Sequence, residues 1–358
     1  MSEKIRVGII GAGQISQAHL SAYSEIGGVE VIAIADINEE AATTSAHKFG
    51  VANFYTDFRE ILKRDDIQAV DVCLHNNFHA PVTIAALEAG KHVYCEKPMA
   101  GSYRDAQAMF DASVSCGRHL HIQLSTLYAD ETVAAKTLIE EGKLGEVYHA
   151  RSTGFRRRGR PFVDGYGTSS FVQKRNSGGG ALYDMGVYHI AQMLYLLGNP
   201  QPQRITGKTY QKIEMDEGRR ADSGYDVEEL GLGFVHFVNG LTLDIIESWA
   251  INLGGFEASS IVGTEGGIRL EPFAFYQNLG SYQSNSTIGN LGGNYNGHLR
   301  SQEHWVAALR DKIALLPTAA IGLSAMLISE GIYLSESLGR EVTVEEVRAR
   351  SQSTAVTL

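Results

Sequence analysis

The sequence predicts an α/β protein of two domains: a doubly wound parallel sheet over residues 1–123, and an α+β domain over 124–358 with a large open, mainly antiparallel sheet. Three observations carry this. Up to about residue 122, short apolar runs alternate with amphipathic stretches, the pattern of strands linked by crossover helices. A glycine-rich turn follows the first apolar run and opens a helical pattern. Beyond Gly145 the strand-like runs follow one another without intervening helices. The chain has 358 residues and is 44% hydrophobic, enough for two cores.

In the first half, strands are expected at 5–10, 29–35, 69–74, 91–95 and 119–122, with helices at 14–24, 38–48, 78–89 and 102–117. Gly11-Ala12-Gly13-Gln14-Ile15-Ser16 follows the first strand directly. Gly11 suits the tight turn, Gly13 lets the backbone approach a pyrophosphate, and Ser16 is small enough for close packing of helix on strand. The free N–H groups of Gln14 and Ile15 at the helix start offer donors to that anion. Asp36 closes the second strand 20 residues beyond Ser16. A carboxylate there accepts hydrogen bonds from an adenosine ribose diol and repels a 2′-phosphate, which favours NAD over NADP. The same residue also suits capping the helix that begins near Asn38. His75-Asn76 and Glu96-Lys97-Pro98 fall at later strand ends, on the crevice where ligands of such sheets bind.

In the second half a helix near 130–142 is followed by strand-like runs at 146–155, 204–214, 227–238, 241–250, 257–263 and 267–271. Asn239-Gly240 marks a hairpin. Helices are expected at 181–197, 300–315 and 318–338. Residues 280–297, rich in Gly, Asn and Ser, read as a mobile surface loop.

A net charge of −10 argues against a nucleic-acid partner, which needs a basic footprint, and favours a small neutral ligand. Cys73, Cys95 and Cys116 lack metal-type spacing and read as buried reduced thiols, which with the absence of an N-terminal apolar segment gives a cytoplasmic expectation. No run of 18 or so uninterrupted apolar residues suggests a membrane span. His75 and His79 have no third ligand at metal spacing, so no metal is expected.

The chain resembles the oxidoreductase family named for glucose–fructose oxidoreductase, inositol dehydrogenase and a rhizopine-catabolism protein. The match runs through Gly11–Ser16, Asn76-Asn77-Phe78-His79, Ala89-Gly90-Lys91-His92-Val93, Glu96-Lys97-Pro98, Gly178-Gly179-Gly180-Ala181-Leu182-Tyr183-Asp184-Met185-Gly186, Gly263-Thr264-Glu265-Gly266-Gly267 and Gly331-Ile332-Tyr333-Leu334-Ser335. The resemblance implies an N-terminal Rossmann domain and a C-terminal domain whose open sheet makes subunit contacts, in a homodimer or homotetramer. It implies NAD(P)-dependent chemistry on a sugar, glycoside or cyclitol, a cis Lys97–Pro98 bond, and cofactor contacts from His75, Asn76, His79, Glu96, Lys97 and Gln123. The chain departs from the family at His75, where proline is common, and at Gln123-Leu124-Ser125-Thr126, where many members carry an arginine. Four residues after Asp184 stands Tyr188, as in several sugar-oxidising branches, with His189 one later; the inositol dehydrogenases usually have histidine at the first of these positions.

Helical spacing over 181–197 places Asp184 and Tyr188 on one face, one turn apart, with His189 about 100° away. Oxidising a secondary alcohol requires a group that removes the hydroxyl proton and one that stabilises the developing alkoxide. Lys97 is the expected proton acceptor; burial and a nicotinamide cation favour its neutral form, and Asp184 favours the ammonium. Asp184 is expected to hold Lys97 and orient substrate hydroxyls, and Tyr188 or His189 to complete the hydrogen bonding. Lys174 precedes the glycine triplet and is a candidate substrate contact. Arg156, Arg157, Arg158 and Arg160 read as a solvated basic face; if they face the pocket instead, an acidic or phosphorylated substrate is expected. Two other activities fit the same motifs: a glycosidase that retains NAD and acts by transient oxidation and elimination, and a non-catalytic NAD-binding regulator.

Overall fold

A computed structural model describes residues 4–287 and 296–358. The N-terminal part runs β1 (Ile5–Ile10), α1 (Gln14–Glu25), β2 (Val29–Ala35), α2 (Glu39–Phe49), β3 (Asn53–Tyr55), α3 (Arg59–Leu62), β4 (Ala69–Val72), α4 (Asn76–Glu88), β5 (His92–Cys95), α5 (Tyr103–Ser115) and β6 (Leu120–Ile122). The six strands form one parallel sheet in the order β3-β2-β1-β4-β5-β6. The order reverses between β1 and β4, and the crevice at that point lies over the carboxyl ends of the strands. The central strands are buried on both faces, and so read as continuous apolar runs. Helix ends obey local chemistry: the Asn38 side chain accepts from Ala41 N at the start of α2, and Gly50, left-handed at φ 68°, ends it.

The C-terminal part adds α6 (Asp130–Glu140), β7 (Val147–Phe155), α7 (Lys174–Ser177), α8 (Val187–Leu196), β8 (Pro202–Tyr210), α9 (Glu217–Ser223), β9 (Leu230–Phe237) and β10 (Thr242–Ser248). It continues through β11 (Ser260–Gly263), β12 (Gly266–Arg269), β13 (Ala274–Leu279), β14 (Tyr282–Thr287), α10 (Gly297–Leu309), α11 (Thr318–Leu338), β15 (Val342–Thr343) and α12 (Val344–Arg350). Among the described residues nine strands form a single sheet, β14-β13-β12-β11-β7-β10-β9-β8-β15. Its neighbours are antiparallel except β7 and β10, which pair in parallel at its centre.

The structure corrects the reading of 280–297 as a loop. Residues 282–287 form β14, hairpinned to β13 across Gly280; its sequence Tyr-Gln-Ser-Asn-Ser-Thr is polar because it is an exposed edge strand, so it lacks the alternation that marks a half-buried one. Of the rest, Asn296 caps α10 and Gly297 begins it, and residues 288–295 lie outside the described residues. Cys73 and Cys95 are buried, but Cys116 is half-buried at the end of α5; all three are free thiols.

Two late helices tie the halves together. Trp305 and Val306 of α10 pack into the N-terminal core beside Val7, Ile9, Ile34 and Tyr94, which brings the start of α10 to the crevice. By length and composition α11 could cross a membrane, yet 67% of its most apolar window is buried inside the protein, as in a core helix. It lies against β8 and β9 at glycines: a Cβ at Gly207 would fall 2.5 Å from Ile332 Cγ2, one at Gly233 2.4 Å from Ile332 Cδ1, and one at Gly331 2.4 Å from Ile205 Cδ1. Gly207→Val therefore overpacks this contact and should destabilise the C-terminal part by about 1–3 kcal/mol. A lower thermal midpoint with unchanged NAD affinity is expected; an unchanged midpoint would show that the helix can yield.

Candidate active site

The turn after β1 is shaped for a dinucleotide. Gly11 sits at φ 101°, and a Cβ there would fall 2.3 Å from Cys73 O, so no side chain fits. A Cβ at Gly13 would meet nothing within 4 Å, which leaves open space beside the backbone. Among the described residues no side chain caps α1, so the N–H groups of Gln14 and Ile15 are left as donors at a positive helix end. Asp36 does two things at once: Oδ2 accepts from Ala12 N at 2.7 Å and Oδ1 from Asn38 N at 2.8 Å. It braces the glycine turn and leads into α2, and its remaining lone pairs can still receive a ribose diol. These residues fit an adenine dinucleotide.

Below the crevice lies a charged cluster that sequence reasoning missed. His19 of α1, fully buried, has Nδ1 2.9 Å from Asp71 Oδ2 and Nε2 2.8 Å from Glu96 Oε1. With a carboxylate at each nitrogen the ring holds both protons. Burial opposes that charge, but Asp71 outweighs it and raises the His19 pKa well above its ordinary value. Burial likewise pushes the Glu96 carboxyl up, and the hydrogen bond and charge of His19 bring it below the usual range. Glu96 Oε2 accepts the Lys97 backbone N–H at 3.0 Å, so this ionised carboxylate fixes where Lys97 starts. His19 also belongs to two groups of metal-type donors, with Glu96 and His298 and with Asp71 and Cys73, and in the fold described here it hydrogen-bonds both carboxylates. His75 and His79 take part in neither.

The cofactor role expected of His79 is corrected. It is 0% exposed, its ring lying between Pro98 O (2.8 Å from Nδ1) and Leu74 O (3.0 Å from Nε2); burial lowers its pKa, and the neutral ring donates its one N–H to one of these carbonyls, between the turn carrying the cis Lys97–Pro98 bond and the end of β4. His75 is exposed before α4, its ring edge-on to Phe171 at 6.2 Å. Asn76 Nδ2 donates to Ser177 O at 2.8 Å, joining the crevice to the glycine triplet.

The triplet is a packing device. Cβ atoms at Gly178, Gly179 and Gly180 would fall 2.3 Å from Gly101 O, 2.2 Å from Tyr333 Oη and 2.1 Å from Glu228 O. Buried Glu228 accepts from Gly180 N (2.9 Å), Leu182 N (3.0 Å) and the Tyr333 hydroxyl (2.8 Å), and so caps the segment that carries Asp184. That segment, Leu182–Gly186, is a π-helical turn running into α8, an irregularity often found at functional sites.

Asp184 meets Lys97 across the crevice. Lys97 Nζ donates to Asp184 Oδ1 and to its backbone O, each at 2.9 Å. Trp249, buried at the end of β10, donates its indole N–H to Oδ2 at 2.9 Å, and Arg156 Nη1 lies 3.6 Å from that oxygen. Burial pushes the Asp184 carboxyl up; the charge and hydrogen bond of Lys97, with Arg156 and Trp249, outweigh it and hold the group below the usual range. Tyr188 also reaches Lys97, but with its ring, whose centroid is 4.8 Å from Nζ. Its hydroxyl donates instead to Gln123 Oε1 at 3.2 Å, and Gln123 Nε2 meets His298 Nδ1 at 2.8 Å. His189 turns to the sheet: Nδ1 is 2.9 Å from Glu247 Oε2, which raises the His189 pKa against the opposing effect of burial. Lys174 is exposed, and among the described residues it makes no hydrogen bond or ion pair with Lys97 or Asp184. The structure thus gathers Lys97, Asp184, Tyr188 and Gln123, and adds Trp249, Arg156, His298 and Glu247. Trp249, one of two tryptophans and at a strand end, was the signal most open to being read.

A dinucleotide cradle opening onto a Lys–Asp pair defines an NAD-binding oxidoreductase. Residues 5–124 match the profile of the oxidoreductase family with NAD-binding Rossmann fold, and residues 132–269 match the GFO/IDH/MocA C-terminal domain. The chain belongs to this GFO/IDH/MocA family. It is 30% identical over 349 residues to D-glucoside 3-dehydrogenase of Escherichia coli K12, covering 95% of this chain and 98% of that one. With levoglucosan dehydrogenase of Pseudarthrobacter phenanthrenivorans it shares 35% identity over 207 residues, 55% of this chain and 52% of the relative. A solved levoglucosan dehydrogenase in complex with NADH superimposes with a TM-score of 0.83 at 25% identity, covering 96% of this chain and 99% of that one.

Removing the Asp36 carboxylate removes its repulsion of a 2′-phosphate. Asp36→Ala should raise the ratio of kcat/KM with NADP to that with NAD by about tenfold or more, the effect of roughly 1.4 kcal/mol. An NADP preference already present in the parent enzyme would refute the role given to Asp36.

Proposed function

We propose that the chain is an NAD-dependent dehydrogenase acting at a secondary alcohol or hemiacetal carbon of a sugar, glycoside or cyclitol, with Lys97 as the proton-transfer group. The observation that carries this is the hydrogen bonding of Lys97 Nζ. An amine nitrogen is tetrahedral; beyond Cε it has three positions, and two are spent on Asp184 Oδ1 and Asp184 O. In the neutral amine the third is a lone pair, free to receive a hydroxyl proton. The Tyr188 ring walls one side of that nitrogen and can stabilise the ammonium once formed. Bound NAD supplies the hydride acceptor. Asp184 keeps Nζ in place, and Trp249 keeps Asp184 in place. His189 Nε2, unpartnered among the described residues, can meet a further hydroxyl. Running in reverse, Lys97 returns the proton to a carbonyl oxygen.

The names of the relatives support a carbohydrate substrate, above all the glucoside dehydrogenase that matches nearly end to end. Self-association through the nine-stranded sheet is part of the same reading: Tyr148, Phe234, Val238 and Leu279 are exposed on or beside its strands, at 50%, 38%, 59% and 58%. A reducing cytoplasm suits its free thiols.

Reduced-nicotinamide absorbance followed with NAD against aldoses, glycosides, inositols and sugar acids tests the activity. Glycoside cleavage without net absorbance change would instead favour a glycosidase that retains its cofactor. On the best substrate, Lys97→Ala should lower kcat by about 10²–10⁴-fold with the Kd for NAD unchanged. A matching loss of cofactor affinity would make Lys97 a binding residue.

A further inference from the structure

The four arginines at 156–160 part company in the structure. Arg160 is buried between Asp164 and Glu229, Arg158 donates to Ile251 O and Asn252, and Arg157 is exposed. Arg156 stands at the crevice. It follows the last residue of β7, and its backbone N donates to Ser248 O at 2.8 Å, which sets it level with Trp249 at the end of β10. Nη1 donates to Gly159 O at 3.2 Å and to the Tyr166 hydroxyl, and lies 3.6 Å from Asp184 Oδ2. A Cβ at Gly159 would fall 2.5 Å from Arg156 Cδ, so the loop closes directly on the side-chain stem. The side-chain hydrogen bonds and the ion pair all use Nη1, and the guanidinium carbon lies 5.5 Å from the Tyr166 ring centroid. Among the described residues the Nε and Nη2 donors have no acceptor, and the side chain is 41% exposed.

We propose that Arg156 is a specificity-determining residue: its free donors take the hydroxyl on the carbon next to the one oxidised, so that the site selects uncharged vicinal diols. This rests on the role given to Lys97 above. Lys97 and Arg156 approach opposite oxygens of one carboxylate, at 2.9 Å and 3.6 Å. Neighbouring hydroxyls on a sugar ring are about one hydrogen-bond length apart, so a diol can set one oxygen on Lys97 and the other toward Arg156. A substrate carboxylate would fit less well, because it would share the guanidinium with ionised Asp184 and be repelled by it. The basic run thus loses the acidic-substrate implication it carried as sequence. Where the bound sugar covers these donors, an analogue lacking the hydroxyl leaves them unpaired, and the site discriminates against it.

Methyl β-D-glucopyranoside, its 2-, 3- and 4-deoxy analogues and the corresponding glucuronide, assayed with NAD, test this on the parent enzyme, Arg156→Gln and Arg156→Lys. Arg156→Gln should lower kcat/KM for the glucoside about 10–100-fold, mainly through KM, with partial recovery in Arg156→Lys. On one deoxy analogue, already slow with the parent enzyme, the same substitution should have less than about a twofold effect, because the hydroxyl it reads is gone. The Kd for NAD should not change. Equal losses on the glucoside and every reactive deoxy analogue would reduce Arg156 to a structural role. A glucuronide preferred by the parent enzyme and lost in Arg156→Gln would overturn the uncharged diol while leaving Lys97 chemistry intact. No oxidation by the parent enzyme of any of these compounds, nor of the aldoses, inositols and sugar acids above, would overturn both proposals.

Discussion

Asp184 holds an ionised carboxylate in a crevice between two sheets, and the arrangement around it follows from how that charge is satisfied. Lys97 comes from the end of β5, Trp249 from the end of β10, Arg156 from the end of β7, and the π-helical turn presents the carboxylate to all three. Such a charge is costly to bury and costlier to strand: removing one partner of a buried pair typically loses about 3–5 kcal/mol. The pair therefore does more than position chemistry. It couples the placement of the reactive amine to the relative placement of the two sheets, which α10 and α11 also fix.

Each partner of that pair rests on its own buried support. On the N-terminal side the His19 imidazolium, between Asp71 and Glu96, keeps Glu96 ionised, and Glu96 holds the Lys97 backbone while the His79 ring lies against Pro98 O. On the C-terminal side Glu228 caps the segment carrying Asp184, and the glycine triplet lets that segment approach Gly101, the residue three beyond Pro98. Polar networks of this kind confer rigidity only when every member is satisfied. Here each named carboxylate has its partners, and the cost of its burial is offset by definite hydrogen bonds.

Much of this was legible in the sequence. Periodicity marked the strands and helices of the parallel sheet, and residues 318–338 were bounded as the structure has them, because Pro317 and Gly339 punctuate a long apolar helix. Motif spacing brought Lys97, Asp184 and Tyr188 to one place. What sequence could not carry was the direction in which polar atoms point. Asp184 and Tyr188 do share Lys97, yet through a π turn, with the Tyr188 hydroxyl directed to Gln123. His79 sits in a cofactor-type motif, but both its nitrogens face backbone carbonyls in the buried interior. His19 and Asp71 are 52 residues apart, and Asp71 lies inside an apolar strand, so nothing local announces their contact. Arg156 differs from its neighbours only in where β7 ends.

The central claim is that Lys97 Nζ exchanges a proton with a carbohydrate oxygen while Asp184 holds it. A crystal structure of the enzyme with NADH and a substrate identified by turnover tests this most directly. The account predicts one sugar oxygen within about 2.6–3.2 Å of Nζ, on the carbon facing the nicotinamide, with the Asp184 contact kept. A sugar seated in the crevice with every oxygen farther than about 4 Å from Nζ, beyond hydrogen-bond reach, would contradict it.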